Sequence, residues 1–137
     1  MSARQAKVLA DTNVWIAFFR GSRASEQDRL VADVLDRLIV EDRVLTCGIV
    51  EMELLQGLRQ GERATLQENF ASLPFLDTTR DDFRRAGEIS RQLRVKGTTI
   101  PSGDALIAAI CIRRELALLE NDRHFREIED LKQLDWR

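Results

Sequence analysis

Three acids stand where chain geometry puts side chains that can work together. Asp11 closes the short apolar run Val8-Leu9-Ala10 and is followed by two capping residues, Thr12 and Asn13. Asp104 opens the most apolar stretch of the chain, Leu106 to Ile112, and Asp122 follows the apolar run Ala117-Leu118-Leu119. Carboxylates cannot crowd together ionised unless a cation neutralises them. A pocket of oxygen ligands without His or Cys partners suits Mg²⁺ or Mn²⁺ rather than zinc. Such a cation polarises a phosphoryl oxygen and acidifies a water, which is the chemistry of phosphodiester hydrolysis. Each acid alone has an ordinary reading: Asp11 as a helix cap, Asp104 as a first-turn acid facing the helix dipole, Asp122 as a turn residue. The set is what points to chemistry.

The elements that would position these acids follow from periodicity. Val8 to Ala10 reads as a buried strand, and Val14 to Phe19 as a short buried helix that stops at Arg20-Gly21-Ser22. Ser25 and Asp28 have capping-box spacing, and Leu30, Val31, Val34, Leu35 and Leu38 predict a helix near residues 25 to 41. Val44 to Cys47 reads as a strand, residues 48 to 59 as a helix with Val50, Leu54 and Leu58 on one face, and Ala64 to Leu73 as a helix ended by Pro74. Phe75-Leu76-Asp77 is a short strand. Thr79 and Asp82 repeat the capping logic before an amphipathic helix of Phe83, Ala86, Ile89, Ser90 and Leu93. Gly97 to Gly103 is a loop by composition. Asp104 to Arg113 is a helix with no polar face, hence buried. Ala117 to Leu119 is a strand, and the tail through Trp136 adds a short helix and strand. Strands alternating with helices predict a parallel sheet with helices on both sides, whose carboxyl edge would gather Asp11, Asp104 and Asp122.

The 137 residues fit one domain, 1–137, and the 44% hydrophobic and 32% charged content is ordinary for a globular protein. No apolar run approaches the roughly 20 residues that span a bilayer, and no long apolar leader is present, so a cytoplasmic location without membrane contact is expected. Cys47 and Cys111 lack metal-ligand spacing and read as core residues. A net charge of −2 neither requires nor excludes a nucleic-acid partner, since a basic rim can offset an acidic pocket.

Taken in order, Val8-Leu9-Ala10-Asp11-Thr12-Asn13, Glu53-Leu54-Leu55-Gln56-Gly57, Asp104-Ala105-Leu106-Ile107-Ala108-Ala109 and Asn121-Asp122-Arg123-His124-Phe125 resemble the successive motifs of PIN-domain ribonucleases, most of all VapC toxins of toxin–antitoxin pairs. The resemblance implies a three-layer α/β/α fold about a parallel sheet. It implies a Mg²⁺- or Mn²⁺-dependent endoribonuclease that leaves a 5′-phosphate and a 3′-hydroxyl. A VapB-type antitoxin partner and a homodimer are implied as well. Carried onto this chain, it makes Asp11, Glu53, Asp104 and Asp122 an acidic quartet. Asp11 and Asp104 become the principal metal ligands, and Glu53 and Asp122 hold the metal's water or a second ion, with Thr12 or Asn13 bonding within the cluster.

Two departures stand out. Glu120 occupies a position where the family often has threonine, adding a candidate fifth acid. Glu51 lies nearer the stripe of Val50, Leu54 and Leu58 than Glu53 does, so the motif rather than periodicity selects Glu53. His124, the only histidine, reads as part of a packed turn rather than as a base. Trp15, Phe18 and Phe19 read as core, with an apolar groove for a partner peptide as the alternative. Arg20, Arg23, Lys96 and Arg123 are candidates to receive RNA phosphates. The rival functions are a receiver-like phosphoryl-acceptor domain using Asp77, and a PIN-like protein that binds RNA without cutting it. Asn13 sits where a haloacid-dehalogenase-type phosphatase would need a second Asp, and no dinucleotide or P-loop glycine pattern is present.

Overall fold

β1 (Val8–Ala10) is buried on both faces, and the sheet grows outward from it. The computed structural model describes residues 6–137. β2 (Val44–Cys47) pairs in parallel with one side of β1, Val8 opposite Val44 and Leu9 opposite Leu45. β4 (Ala117–Leu119) pairs in parallel with the other side, Ala10 opposite Leu119. β3 (Phe75–Leu76) adds beyond β2 and β5 (Lys132–Gln133) beyond β4, which gives the all-parallel order β3-β2-β1-β4-β5. The chain therefore fills one half of the sheet, crosses β1, and fills the other half. The strand order reverses between β1 and β4, and the crevice beyond their carboxyl ends is where a ligand can enter such a sheet.

Helices cover both faces, as double-sided strand burial requires. α1 (Thr12–Arg20) packs on α2 (Glu26–Val40), and α5 (Arg80–Val95) on α6 (Ser102–Arg114). α3 (Gly48–Gly57) touches both α1 and α6, while α4 (Arg63–Ala71) precedes β3. In α6 every residue from Ala105 to Cys111 is buried. Burying each of its large aliphatic side chains contributes about 1.5–3 kcal/mol, so the helix that begins with Asp104 in its first turn is a fixed platform. Cys47 and Cys111 are buried free thiols, as expected. No helix among the described residues is long and apolar enough to cross a membrane.

Some local expectations are corrected. α6 starts at Ser102, not Asp104: the Pro101 carbonyl accepts from the N–H groups of Asp104 and Ala105, so Ser102 and Gly103 belong to its first turn rather than to a loop. Phe83 is exposed rather than part of the inner stripe of α5. The reason is Asp82, which completes a reciprocal capping box with Thr79 and takes the Arg113 guanidinium at 2.6 and 3.0 Å. With Asp82 turned inward, the buried stripe is Asp82, Ala86, Ile89 and Leu93, and Phe83 faces out. α3 ends at Gly57, two residues early, and Leu58 continues in extended conformation. Ser25 caps α2 through the Asp28 N–H, without the reciprocal bond.

Candidate metal centre at the sheet edge

Asp11 is the first residue beyond β1, and it is 1% exposed. Its extended backbone makes it the N-cap of α1, and its Oδ1 accepts from the Thr12 N–H at 2.8 Å. The cap reading is thus correct for Oδ1, which leaves the second oxygen to be accounted for. Oδ2 is fully buried and has no hydrogen-bond partner in the protein. An ionised carboxylate with an unmatched buried oxygen is costly, and the side chain responds accordingly. Burial first, then the charge of Asp104, and further the charges of Glu53 and Asp122, push the Asp11 pKa up to about 7.

Those same three residues are the rest of the expected quartet. Glu53, on α3, receives a 2.5 Å hydrogen bond from the Thr12 hydroxyl, which ties it across 41 residues to the first turn of α1. It also lies against α6: a Cβ at Gly103 would stand 2.5 Å from Glu53 Oε2. A side chain at this position would force the Glu53 carboxylate to move. Glu53, rather than Glu51, is the glutamate that reaches the β1 edge, although Glu51 lies nearer the apolar stripe. Asp104 projects from the first turn of α6, and its pKa is raised, chiefly by burial, with Glu53 and Asp122 adding and His124 opposing.

His124 departs most from expectation. Its Nε2 contacts Asp104 Oδ2, and its Nδ1 lies 2.8 Å from Asp122 Oδ1, so one imidazole bridges two of the four acids. It is not simply a packed turn residue. Its position two residues after Asp122, in a one-turn 3₁₀ segment (Arg123–Glu127) capped by the Asp122 side chain, makes the double contact geometrically available. Glu120 behaves differently from a fifth pocket acid: both its oxygens are engaged, by the Asp122 N–H and the Arg137 guanidinium.

Asp11, Glu53, Asp104 and Asp122 therefore share one electrostatic neighbourhood, held by Thr12 and His124. Among the described residues no three His, Cys, Asp or Glu side chains are already drawn together as a metal cage. The donor set nonetheless fits a hard divalent cation: carboxylate oxygens at the centre, one of them buried and unpartnered. Beside Glu53 a cavity of about 490 Å³ opens between α1 and the end of α3, with Ile16, Phe19, Arg20, Arg23 and Arg59 among its walls. Arg20 and Arg23 thus share a cavity with Glu53, whereas Lys96 is paired with Glu129 at 3.5 Å. Trp15 is fully buried, in edge or stacked contact with Phe18, Phe19 and Phe70, so it serves the core and not a partner groove. Asp77 follows the edge strand β3, away from the switch point, and its carboxylate is exposed; the receiver-like alternative loses its acceptor.

This arrangement has a name. Residues 8–131 match the family model described as PIN domain, and the chain belongs to that family. Curated relatives include VapC ribonuclease Mb1587 of Mycobacterium bovis, 33% identical over 132 residues, covering 93% of this chain and 95% of the relative. Ribonuclease VapC10 of Mycobacterium tuberculosis is 35% identical over 126 residues, covering 91% and 90%. At that identity and coverage the chain falls among the VapC-type PIN proteins. Among solved structures, DNA-bound VapBC from Salmonella typhimurium superposes with a TM-score of 0.75 at 25% identity, covering 96% of this chain and 99% of that one.

Proposed function

We propose that this chain is a divalent-metal-dependent endoribonuclease, the toxin of a VapBC-type pair, restrained by a VapB-type antitoxin. The observation that carries the metal site is the buried, unpartnered Asp11 Oδ2 facing three further carboxylate charges. The relatives are named ribonucleases, and the structural neighbour is a VapBC complex, which supports the substrate class and the partner.

Asp11 and Asp104 would hold the cation, Mg²⁺ or Mn²⁺, with Glu53 and Asp122 on the flanks. When bound, the cation neutralises the acids, draws charge from a phosphoryl oxygen and makes water a better nucleophile at neutral pH. The chain's own residues prepare this. Thr12 fixes the rotamer of Glu53 by donating its hydroxyl proton. His124 keeps Asp104 and Asp122 on the same side of the crevice. β1 and α6 keep Asp11 and Asp104 from relaxing away from each other, because both elements are anchored in the core. Arg20, Arg23 and Arg123 are exposed near the acids and can receive the flanking phosphates that the acids would repel. In-line hydrolysis would leave a 5′-phosphate and a 3′-hydroxyl.

The test is purified full-length protein with total cellular RNA, with and without Mn²⁺, beside Asp11→Asn and Asp104→Asn. Cleavage should require the metal and both aspartates. Metal-dependent cleavage that survives both substitutions overturns the proposal.

A further inference from the structure

Glu120 is a buried acid that the pocket does not use. It is 2% exposed, and it immediately follows β4. Its Oε1 accepts from Arg137 Nη1 at 2.8 Å; its Oε2 accepts from the Asp122 backbone N–H at 2.7 Å and from Arg137 Nη2 at 3.5 Å. A guanidinium that reaches both oxygens compensates the carboxylate's charge and, with the Asp122 N–H, gives each oxygen a donor. The same tail is sewn down a second time. Trp136 Nε1 donates to the Glu120 carbonyl at 2.7 Å, and the Arg137 guanidinium lies 4.7 Å from the centre of the Trp136 ring. Between Glu120 and Asp122, Asn121 is pinned by Gln27 Nε2 at 2.8 Å on its oxygen and by Asp28 Oδ1 at 2.6 Å on its nitrogen.

We propose that Glu120 is a positioning residue and not a metal ligand: clamped by Arg137 and Trp136, it fixes the Asp122 backbone and thereby aims the Asp122 carboxylate into the acid pocket. This rests on the reading of Asp122 as part of a metal-dependent nuclease site. The counter-charge for this long acid, two residues before Asp122, comes from seventeen residues further along the chain. Residues 136 and 137 belong functionally to the site although neither touches it.

The experiment uses ¹⁵N-labelled full-length protein as wild type, Glu120→Gln, Arg137→Ala and Arg137→Lys. Asp122 amide exchange and chemical shift are read by NMR, Mn²⁺ affinity by calorimetry, and kcat and KM on a short oligoribonucleotide. In Arg137→Ala the Asp122 amide should exchange about tenfold faster and kcat should fall about tenfold, the scale of losing an outer contact to a metal ligand. KM should hold, and Mn²⁺ affinity in Glu120→Gln should stay within about twofold, because the glutamine carbonyl can still accept the Asp122 N–H and hold that residue in place without a carboxylate of its own. Arg137→Lys, which keeps the charge and one hydrogen bond, should recover most of both losses. An unchanged Asp122 amide in Arg137→Ala overturns the proposal, as does a tenfold or greater loss of Mn²⁺ affinity in Glu120→Gln. Failure of the nuclease reading is separable: wild type would then leave the RNA intact whatever the Asp122 amide does.

Discussion

Replacing Asp11 with asparagine should make the metal-free protein more stable and the metal-supplemented protein comparatively less so. The folded-state pKa of Asp11 is about 7 against 3.8 for the free side chain, so between those values the folded chain holds a proton that the unfolded chain has released. An acid with a raised pKa costs nothing below the unfolded value, and its cost grows as pH rises until it levels off above the folded value. At 1.36 kcal/mol per pH unit, the ionised carboxylate costs the fold roughly 4 kcal/mol at pH 8. The asparagine side chain removes the charge while its carbonyl keeps the Thr12 N–H bond, and its amide can donate toward the neighbouring acids. Allowing about 1–3 kcal/mol for burying that amide leaves a net gain of roughly 1–3 kcal/mol. For a chain of this size that is a rise in Tm of roughly 3–10 °C at pH 8 in chelator, giving way to a small fall at pH 4, where the carboxyl is protonated and only the cost of the buried amide remains. Divalent ions should reverse the order. A ligand that binds only the folded state stabilises wild type by RT ln(1 + [L]/Kd), and the Asp11→Asn variant binds it poorly. Thermal denaturation of both proteins at pH 4 and 8, in chelator and in Mn²⁺, measures all of this. If Asp11→Asn is no more stable than wild type at pH 8 in chelator, or if Mn²⁺ raises both Tm values equally, the electrostatic reasoning is refuted.

Gly103→Ala should preserve or slightly raise helix stability, since Ala exceeds Gly by about 1 kcal/mol in a helix, yet its methyl displaces the Glu53 carboxylate. The expected result is a Tm within a few degrees of wild type and a clear loss of RNA cleavage; full activity would show that Glu53 need not stay where Thr12 holds it. Arg113→Ala leaves Asp82 buried and unpaired, and should cost roughly 3 kcal/mol by urea denaturation near neutral pH without touching the acid pocket. Because Arg113 and the Thr79 amide hold the Asp82 pKa below its ordinary value despite burial, that pair stabilises above about pH 4 and its contribution fades as pH falls through the lowered pKa; a wild-type stability profile insensitive to acid would contradict it. Removing the arginine pair with Arg20→Ala and Arg23→Ala should weaken RNA affinity and flatten its salt dependence, read by filter binding at two ionic strengths; an unchanged salt slope would separate those side chains from the RNA path.

What the sequence made legible was local. A three-residue apolar run ending in Asp11, the Thr79–Asp82 cap and the unbroken apolar face of α6 follow from short-range patterns, and they suffice to set a parallel sheet with acids at one edge. The composition of Ser102-Gly103 misled, because those residues look like a loop unless the carboxylate packed against Gly103 is known. Glu53 could not be preferred to Glu51 on helical periodicity, since the choice depends on Thr12, 41 residues away. The His124 bridge was half visible: its spacing from Asp122 is local, but Asp104 arrives from another helix. The Asp82–Arg113 and Glu120–Arg137 pairs join residues 31 and 17 apart, and no periodic signal announces a partner at such separations. Phe83 illustrates the consequence, because an unseen ion pair turned its helix by enough to expose it.

The central claim is that Asp11 and its three carboxylate neighbours close on a divalent cation. Anomalous scattering at the manganese edge from crystals soaked in Mn²⁺ tests it most directly. The account predicts a peak within coordination distance of Asp11 Oδ2 and an Asp104 oxygen, absent from Asp11→Asn crystals; manganese bound only elsewhere, or bound unchanged in the variant, would contradict it.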